Sequence, residues 1–235
     1  MKNLILASTS TVHGSGPLEY LLETLESHFR DASDILFIPF ARPGGVTHES
    51  YTEKVRLAFQ PIGKNVQGLH EFDDKIEAIK KAEAIFTGGG NTFVLLKQLY
   101  DLNLMNVLKT TLESGTPYLG TSAGTNICGM SIGTTNDMPI VYPKSFKALE
   151  LIPFNINPHY LDPDPKSTHM GETRETRIGE FHKFNDIAVC GLREGSYLKV
   201  NGNAIILEGT HSARIFQKDQ PPHEIYPGTG LGFIN

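Results

Sequence analysis

The sequence predicts an α/β fold: a mostly parallel sheet with helices on both faces and an antiparallel hairpin extension towards the C-terminus. Three observations predict it. Short, β-rich apolar runs alternate with amphipathic segments through the N-terminal half, which implies a parallel sheet covered on both sides. Glycines cluster where two of these runs end, in "TGGGNT" (Thr87 to Thr92) and "GTSAGTN" (Gly120 to Asn126). Further on, "SYLKVNGNAIILEG" carries Asn201-Gly202 between two alternating runs, a strong hairpin signal.

The elements follow in order. Leu4 to Ser8 reads as a strand, and Ser15 with Pro17 opens a helix near Leu18 to His28, since serine caps free amides and proline suits a first turn. Ile35 to Phe40 is a second strand, and Thr47 caps a helix through Phe59. Asn65 to Leu69 is a third strand, after which Asp73 caps a helix to about Lys81. Ala82 to Asn91 is a fourth strand ending in glycines, followed by a helix from Thr92 to Tyr100. The helix Leu104 to Glu113 ends at Gly115, a favoured residue just past a helix. Pro117 to Gly120 is a fifth strand and feeds the second glycine cluster. Beyond it "INPHYLDPDPK" reads as a Pro-rich loop, Glu172 to Phe184 as a helix and Ile187 to Cys190 as a strand.

The chain of 235 residues suits one α/β domain spanning residues 1–235. A formal charge of −5 lends no support to a nucleic-acid or membrane-surface role. The opening "MKNLILASTS" is too short in its apolar part for a signal or membrane segment. Cys128 and Cys190 are too few for a disulfide framework or a Cys-rich zinc site, and read as buried, unreactive thiols. These features describe a cytoplasmic, cofactor-free enzyme or binding protein.

The stretch "GTSAG" is a G-x-S-x-G pattern between a strand and a helix, the signature of a nucleophile elbow at Ser122. Such a turn lifts a hydroxyl above the sheet's carboxyl edge, and the helix start offers free amides to a developing oxyanion. "TGGGNT" is neither a P-loop nor a dinucleotide fingerprint. Its glycines let backbone amides approach a ligand; the plainer reading is a tight turn with Asn91 as an ordinary N-cap.

A serine nucleophile needs a base and an orienting acid. Nine histidines are available, and His28, His48, His70 and His182 fall on helices or strand ends where bland roles suffice. His159 in "FNINPHY" follows an apolar strand at a proline-defined turn, where catalytic groups gather in α/β sheets. Glu194 in "VCGLREGS" follows another strand end, and an ordinary surface glutamate is its alternative. His169 with Asp162 and Asp164 could imitate a metal site, but the spacing matches no familiar ligand pattern, so no metal is expected.

In order, "GGGNT", "GTSAGTN", "TTNDMPIV", "INPH", "GETRE" and "GLREG" resemble the α-aspartyl dipeptidases (the peptidase E type) of the serine-peptidase family that also contains cyanophycinase. The resemblance covers nearly the whole chain. It implies a fold akin to class I glutamine amidotransferase domains and hydrolysis of dipeptides with N-terminal aspartate, without a cofactor. It also implies roles: Ser122 as nucleophile, His159 as base and Glu194 as third member of a triad. Gly90 and Ala123 would supply oxyanion amides. Arg174 would bind the substrate aspartate side chain, with Asn91 and Asp137 nearby and Asp137 receiving the free α-amino group.

An Arg fork holds a carboxylate in two places, which explains how a net-acidic protein could select an acidic residue. The chain order Ser–His–Glu differs from the Ser–acid–His order of α/β-hydrolases, which argues against a lipase or esterase. The alternatives are a cyanophycinase-like peptidase acting on β-aspartyl-arginine units and a non-enzymatic small-ligand binder on the same fold. An amidotransferase-like hydrolase would need cysteine where Ser122 stands. Partners expected are small peptides, with neither nucleic acid nor membrane, and a homodimer is admitted.

Overall fold

The computed structural model describes residues 1–234 except 167 and 169. Period-two alternation sets the layers. In strand β1 (Asn3–Ala7), Leu4 and Leu6 face one side of a sheet while Ile5 and Ala7 face the other. The Ile5 side is covered by α1 (Leu22–His28) and α2 (His48–Phe59) through Leu25, Tyr51, Val55 and Phe59. The Leu4 side is covered by α3 (Lys75–Lys81), α4 (Thr92–Asp101) and α5 (Met105–Ser114) through Ile79, Leu95, Leu99, Leu108 and Leu112.

The sheet contains β2 (Asp34–Ile38), β3 (Asn65–Gly68), β4 (Ala84–Thr87) and β5 (Tyr118–Thr121), all parallel with β1. After the short helix α6 (Ala123–Asn126) come strand β6 (Asn155–Pro158), helix α7 (Arg174–Phe181) and strand β7 (Val189–Leu192). The hairpin is β8 (Ser196–Asn201) with β9 (Ala204–Gly209), and β10 (Ala213–Phe216) and β11 (His223–Ile225) complete the chain's strands. The seven-stranded order is β3-β2-β4-β5-β1-β8-β9, with the hairpin joining antiparallel beside β1. The mostly parallel α/β fold and its antiparallel hairpin extension are thus those the sequence predicts.

A second sheet was not anticipated. Four strands in the order β11-β10-β7-β6 pack into the same core as the Leu4 face, through Ile156, Cys190, Leu192 and Ile215. "INPH" therefore begins as strand rather than loop, and β6 runs parallel to β7 with Pro158 opposite Leu192.

Smaller differences have local causes. Thr47 and Asn91 cap α2 and α4, accepting from Ser50 N and Val94 N. The cap of α3 is Asp74, not Asp73, because its carboxylate reaches Glu77 N at 2.9 Å. Ser15 caps no helix: its hydroxyl donates to the Val12 and Gly16 carbonyls, and a 3-10 turn at Glu19–Leu21 precedes α1. Asn201 pairs with Ala204, so Gly202-Asn203 forms the hairpin turn, with Gly202 at φ 60° as a leading glycine in such a turn requires. Among the described residues no helix is long and apolar enough to cross a membrane.

Candidate active site

Strands β4, β5 and β1 are adjacent and parallel, so Gly88–Asn91, Ser122 and Ser8 emerge at one rim. β6 and β7 end side by side in the second sheet, which brings His159 and Glu194 out together. The site forms where these two rims meet.

Ser122 sits between β5 and α6 at φ 53°, ψ −111°, a conformation a non-glycine residue adopts only when its surroundings impose it, at a cost of about 1–3 kcal/mol. The impositions are specific. Ser122 N donates to Ala7 O at 3.2 Å, and Ser122 O accepts from the amides of Thr125 and Asn126 at 3.0 and 2.9 Å. The Thr125 hydroxyl donates to Ala7 O at 2.6 Å and Gly120 O at 2.8 Å. At Gly124 a Cβ would fall 2.1 Å from Thr87 O, so the last glycine of G-x-S-x-G exists to let α6 press against β4.

His159 Nε2 lies 2.9 Å from Ser122 Oγ, and its Nδ1 lies 2.6 Å from Glu194 Oε1. A carboxylate only accepts, so Nδ1 carries the proton and Nε2 is free to accept the serine hydroxyl. Glu194 is 52 % exposed at its side chain, so the relay opens to solvent on the acid side.

The Gly-rich end of β4 runs alongside the serine. A Cβ on Gly89 would sit 3.0 Å from Ser122 Cβ, and Tyr51 OH holds this segment by donating to Gly89 O at 3.2 Å. Gly90 has φ 147°, and a Cβ there would strike Ala41 O at 2.3 Å, which requires glycine. Among the described residues the amides of Gly90 and Ala123 meet no acceptor; Ala123 follows Ser122 directly, and Gly90 follows Gly89, the glycine packed against Ser122.

Of the other singled-out residues, Asn91 and Asp137 meet at the start of α4, and Arg174 stands at the start of α7. The Asn91 amide is taken up internally: Oδ1 accepts from Val94 N at 3.1 Å and Nδ2 donates to Met138 O at 2.9 Å. Asp137 Oδ2 accepts from Thr92 N at 2.7 Å and the Thr135 hydroxyl at 3.2 Å, placing negative charge at the helix start. Arg174 opens α7 and, with Arg177, lines a recess of about 50 Å³ beside Thr135, Asn136 and Asn157. Burial and the neighbouring Arg177 pull the Arg174 guanidinium down, and Asp137 opposes them.

The remaining expectations resolve simply. Cys128 and Cys190 are buried, and burial pushes both thiols up to about 12. His169 lies outside the described residues; Asp162 is instead gripped by Arg193, Nε to Oδ2 at 2.8 Å and Nη2 to Oδ1 at 2.7 Å. Sequence reasoning passed over Arg193, whose guanidinium also reaches Glu224 at 2.8 Å, and Ser8, which binds His159 N at 2.8 Å. Arg193 stands inside "GLREG", where attention falls on its neighbour Glu194, and Ser8 lies in no motif.

Comparison with known proteins identifies relatives over nearly the whole chain. The chain is 48% identical over 236 residues to a "Probable alpha-aspartyl dipeptidase" of Drosophila melanogaster, covering 99% of this chain and 97% of that one. It is 48% identical over 229 residues to "Peptidase E" of Streptomyces coelicolor, covering 97% and 93%. The crystal structure of a peptidase from an acI-B1 actinobacterium shares the fold at TM-score 0.71 and 18% identity, over 98% of this chain and 96% of that one. A protein of Listeria monocytogenes EGD-e does so at TM-score 0.69 and 22% identity, over 90% and 100%. Residues 4–208 match peptidase family S51, and with near-full-length relatives at this identity the chain belongs to that family.

Proposed function

We propose that this peptidase is a serine dipeptidase that removes N-terminal aspartate from Asp-X dipeptides by way of an acyl-enzyme. The supporting observation is the hydrogen-bonded line Ser122–His159–Glu194 on a strained turn. His159 takes the Ser122 proton as Oγ attacks the peptide carbonyl, and Glu194 stabilises the imidazolium that forms. The amides of Gly90 and Ala123 receive the oxyanion. His159 then protonates the departing amino acid, and water releases aspartate.

Arg174 holds the aspartate side-chain carboxylate, and the Oδ1 of Asp137 is left to receive the α-ammonium. Asn91 serves by shaping this corner through Val94 and Met138. The names of the relatives, an α-aspartyl dipeptidase and peptidase E, support the substrate class. The reading includes a cytoplasmic setting and a homodimer, for which exposed Met138, Ile140, Tyr142 and Phe146 offer an apolar surface.

The test is to assay wild type and Ser122→Ala on Asp-X, Glu-X and Ala-X dipeptides and on β-Asp-Arg. Turnover of Asp-X that falls by several orders of magnitude in the variant supports the reading. Undiminished turnover in Ser122→Ala ends it, and preference for β-Asp-Arg would favour the cyanophycinase-like alternative.

A further inference from the structure

The structure assigns Ser8 as the positioning residue that holds the catalytic base in register with the nucleophile. This inference rests on the serine-peptidase reading of the site. Ser8 is the residue just past β1 and is wholly buried. Its hydroxyl donates to Leu192 O at 2.8 Å and accepts from His159 N at 2.8 Å. One oxygen therefore joins the end of β1 in the large sheet to the ends of β6 and β7 in the small one.

The join matters because nothing in either sheet's ladder fixes one rim against the other. His159 has left its strand: φ is 54°, the left-handed region, and its amide turns away from the β6–β7 ladder towards Ser8. That backbone turn aims the imidazole at Ser122. On the nucleophile's side, the preceding residue does the matching work, since Ala7 O accepts from Ser122 N at 3.2 Å and from the Thr125 hydroxyl at 2.6 Å. Consecutive residues thus carry the two partners, Ala7 the nucleophile's turn and Ser8 the base's. Leu192, the acceptor of the Ser8 proton, lies two residues before Glu194, so the same hydroxyl also anchors the acid's loop. Ser8 N donates to Ser196 O at 3.1 Å, closing that loop from its other end.

Ser8 reaches no substrate atom. Its loss acts through His159, by releasing a turn whose displacement of about 1 Å is enough to slow a reaction about 100-fold. Ser8→Ala is therefore expected to lower kcat on Asp-X by about 10- to 100-fold with KM within about twofold. A second readout needs no turnover: the His159 Nδ1–H proton, bonded to Glu194 at 2.6 Å, gives a far-downfield NMR resonance in wild type that shifts or broadens away in Ser8→Ala. Ser8→Thr, which keeps the hydroxyl, retains that resonance. Thr52→Ala removes a buried hydroxyl that, among the described residues, bonds only His48 O, and serves as the control for lost stability alone, with kcat and resonance unchanged.

If Ser8→Ala does not fold, Ser8→Cys is read in its place with the same expectation. A Ser8 variant with wild-type kcat and an unmoved resonance overturns the assignment, as does a Thr52→Ala variant that loses as much kcat. Failure of the serine-peptidase reading would look different: Ser122→Ala would keep its turnover whatever the Ser8 variants did.

Discussion

His159 Nε2 stands 2.9 Å from Ser122 Oγ although the two residues close strands of different sheets. The pair is therefore a tertiary product, and in the proposed mechanism Glu194, 2.6 Å from His159 Nδ1, fixes the ring's tautomer and stabilises its charged form. Glu194→Gln keeps the size of the side chain but removes the charge that stabilises an imidazolium, and its amide can present a donor to Nδ1. Because this carboxylate is 52 % exposed, water can replace part of its effect. A fall in kcat of about 100-fold is expected, less than the roughly 10⁴-fold cost of neutralising a buried triad acid, with KM nearly constant. Steady-state kinetics on Asp-Leu checks this, and an unchanged kcat would remove Glu194 from the mechanism.

Selection of aspartate should rest on Arg174. A charge-assisted hydrogen bond to a carboxylate is worth about 1.5–3 kcal/mol, so Arg174→Ala should lower kcat/KM for Asp-X by about 10- to 150-fold. Ala-X, which offers no side-chain carboxylate to Arg174, should be nearly unaffected. Equal losses on both would mean that Arg174 holds the fold of the α7 end rather than the substrate.

The elbow's glycine can be tested separately from its serine. In Gly124→Ala the new Cβ would meet Thr87 O at 2.1 Å, so α6 must move off β4. Overpacking of this kind destabilises by about 1–3 kcal/mol, and Tm should fall by about 3–10 °C. Gly179→Ala on α7 meets nothing within 4 Å and should instead stabilise slightly, as alanine does inside a helix. Calorimetry on both variants gives the comparison; equal shifts would remove the steric account.

The sequence was most legible where chemistry is local. Alternation revealed β1 to β5, Thr47 and Asn91 were readable as caps, and G-x-S-x-G pointed to Ser122. Apart from the resemblance carried by "INPH" and "GLREG", His159 and Glu194 are legible only as residues after strands, because β6 and β7 are four residues each and find each other across a long intervening segment. The second sheet escaped notice for the same reason: β6 ends in proline and β11 has three residues, too short for a period to show. Asp73 and Asp74 are indistinguishable as caps until the backbone turn decides which carboxylate meets Glu77 N. Ser8 had no local signal at all, since both of its hydroxyl's partners lie more than 150 residues away.

Two groups should govern acid stability in separate windows. His28 Nε2 donates to Tyr118 O at 3.1 Å, and burial lowers its pKa from 6.5 to about 4, with that hydrogen bond opposing. The unfolded chain therefore takes up the proton first, so stability is full above pH 6.5 and falls as pH drops towards about 4. Glu224 is held down to about 2, against an ordinary 4.5, chiefly by its hydrogen bond with Arg193. Its stabilisation is present above pH 4.5 and is lost as pH falls through about 2. Urea unfolding at a series of pH values should show both slopes in wild type. His28→Leu should flatten the upper window and leave the lower one, while Glu224→Gln should do the reverse. Parallel stability curves for wild type and either variant would show that the group concerned does not change its protonation on unfolding, and its assigned window would then have no cause in this fold.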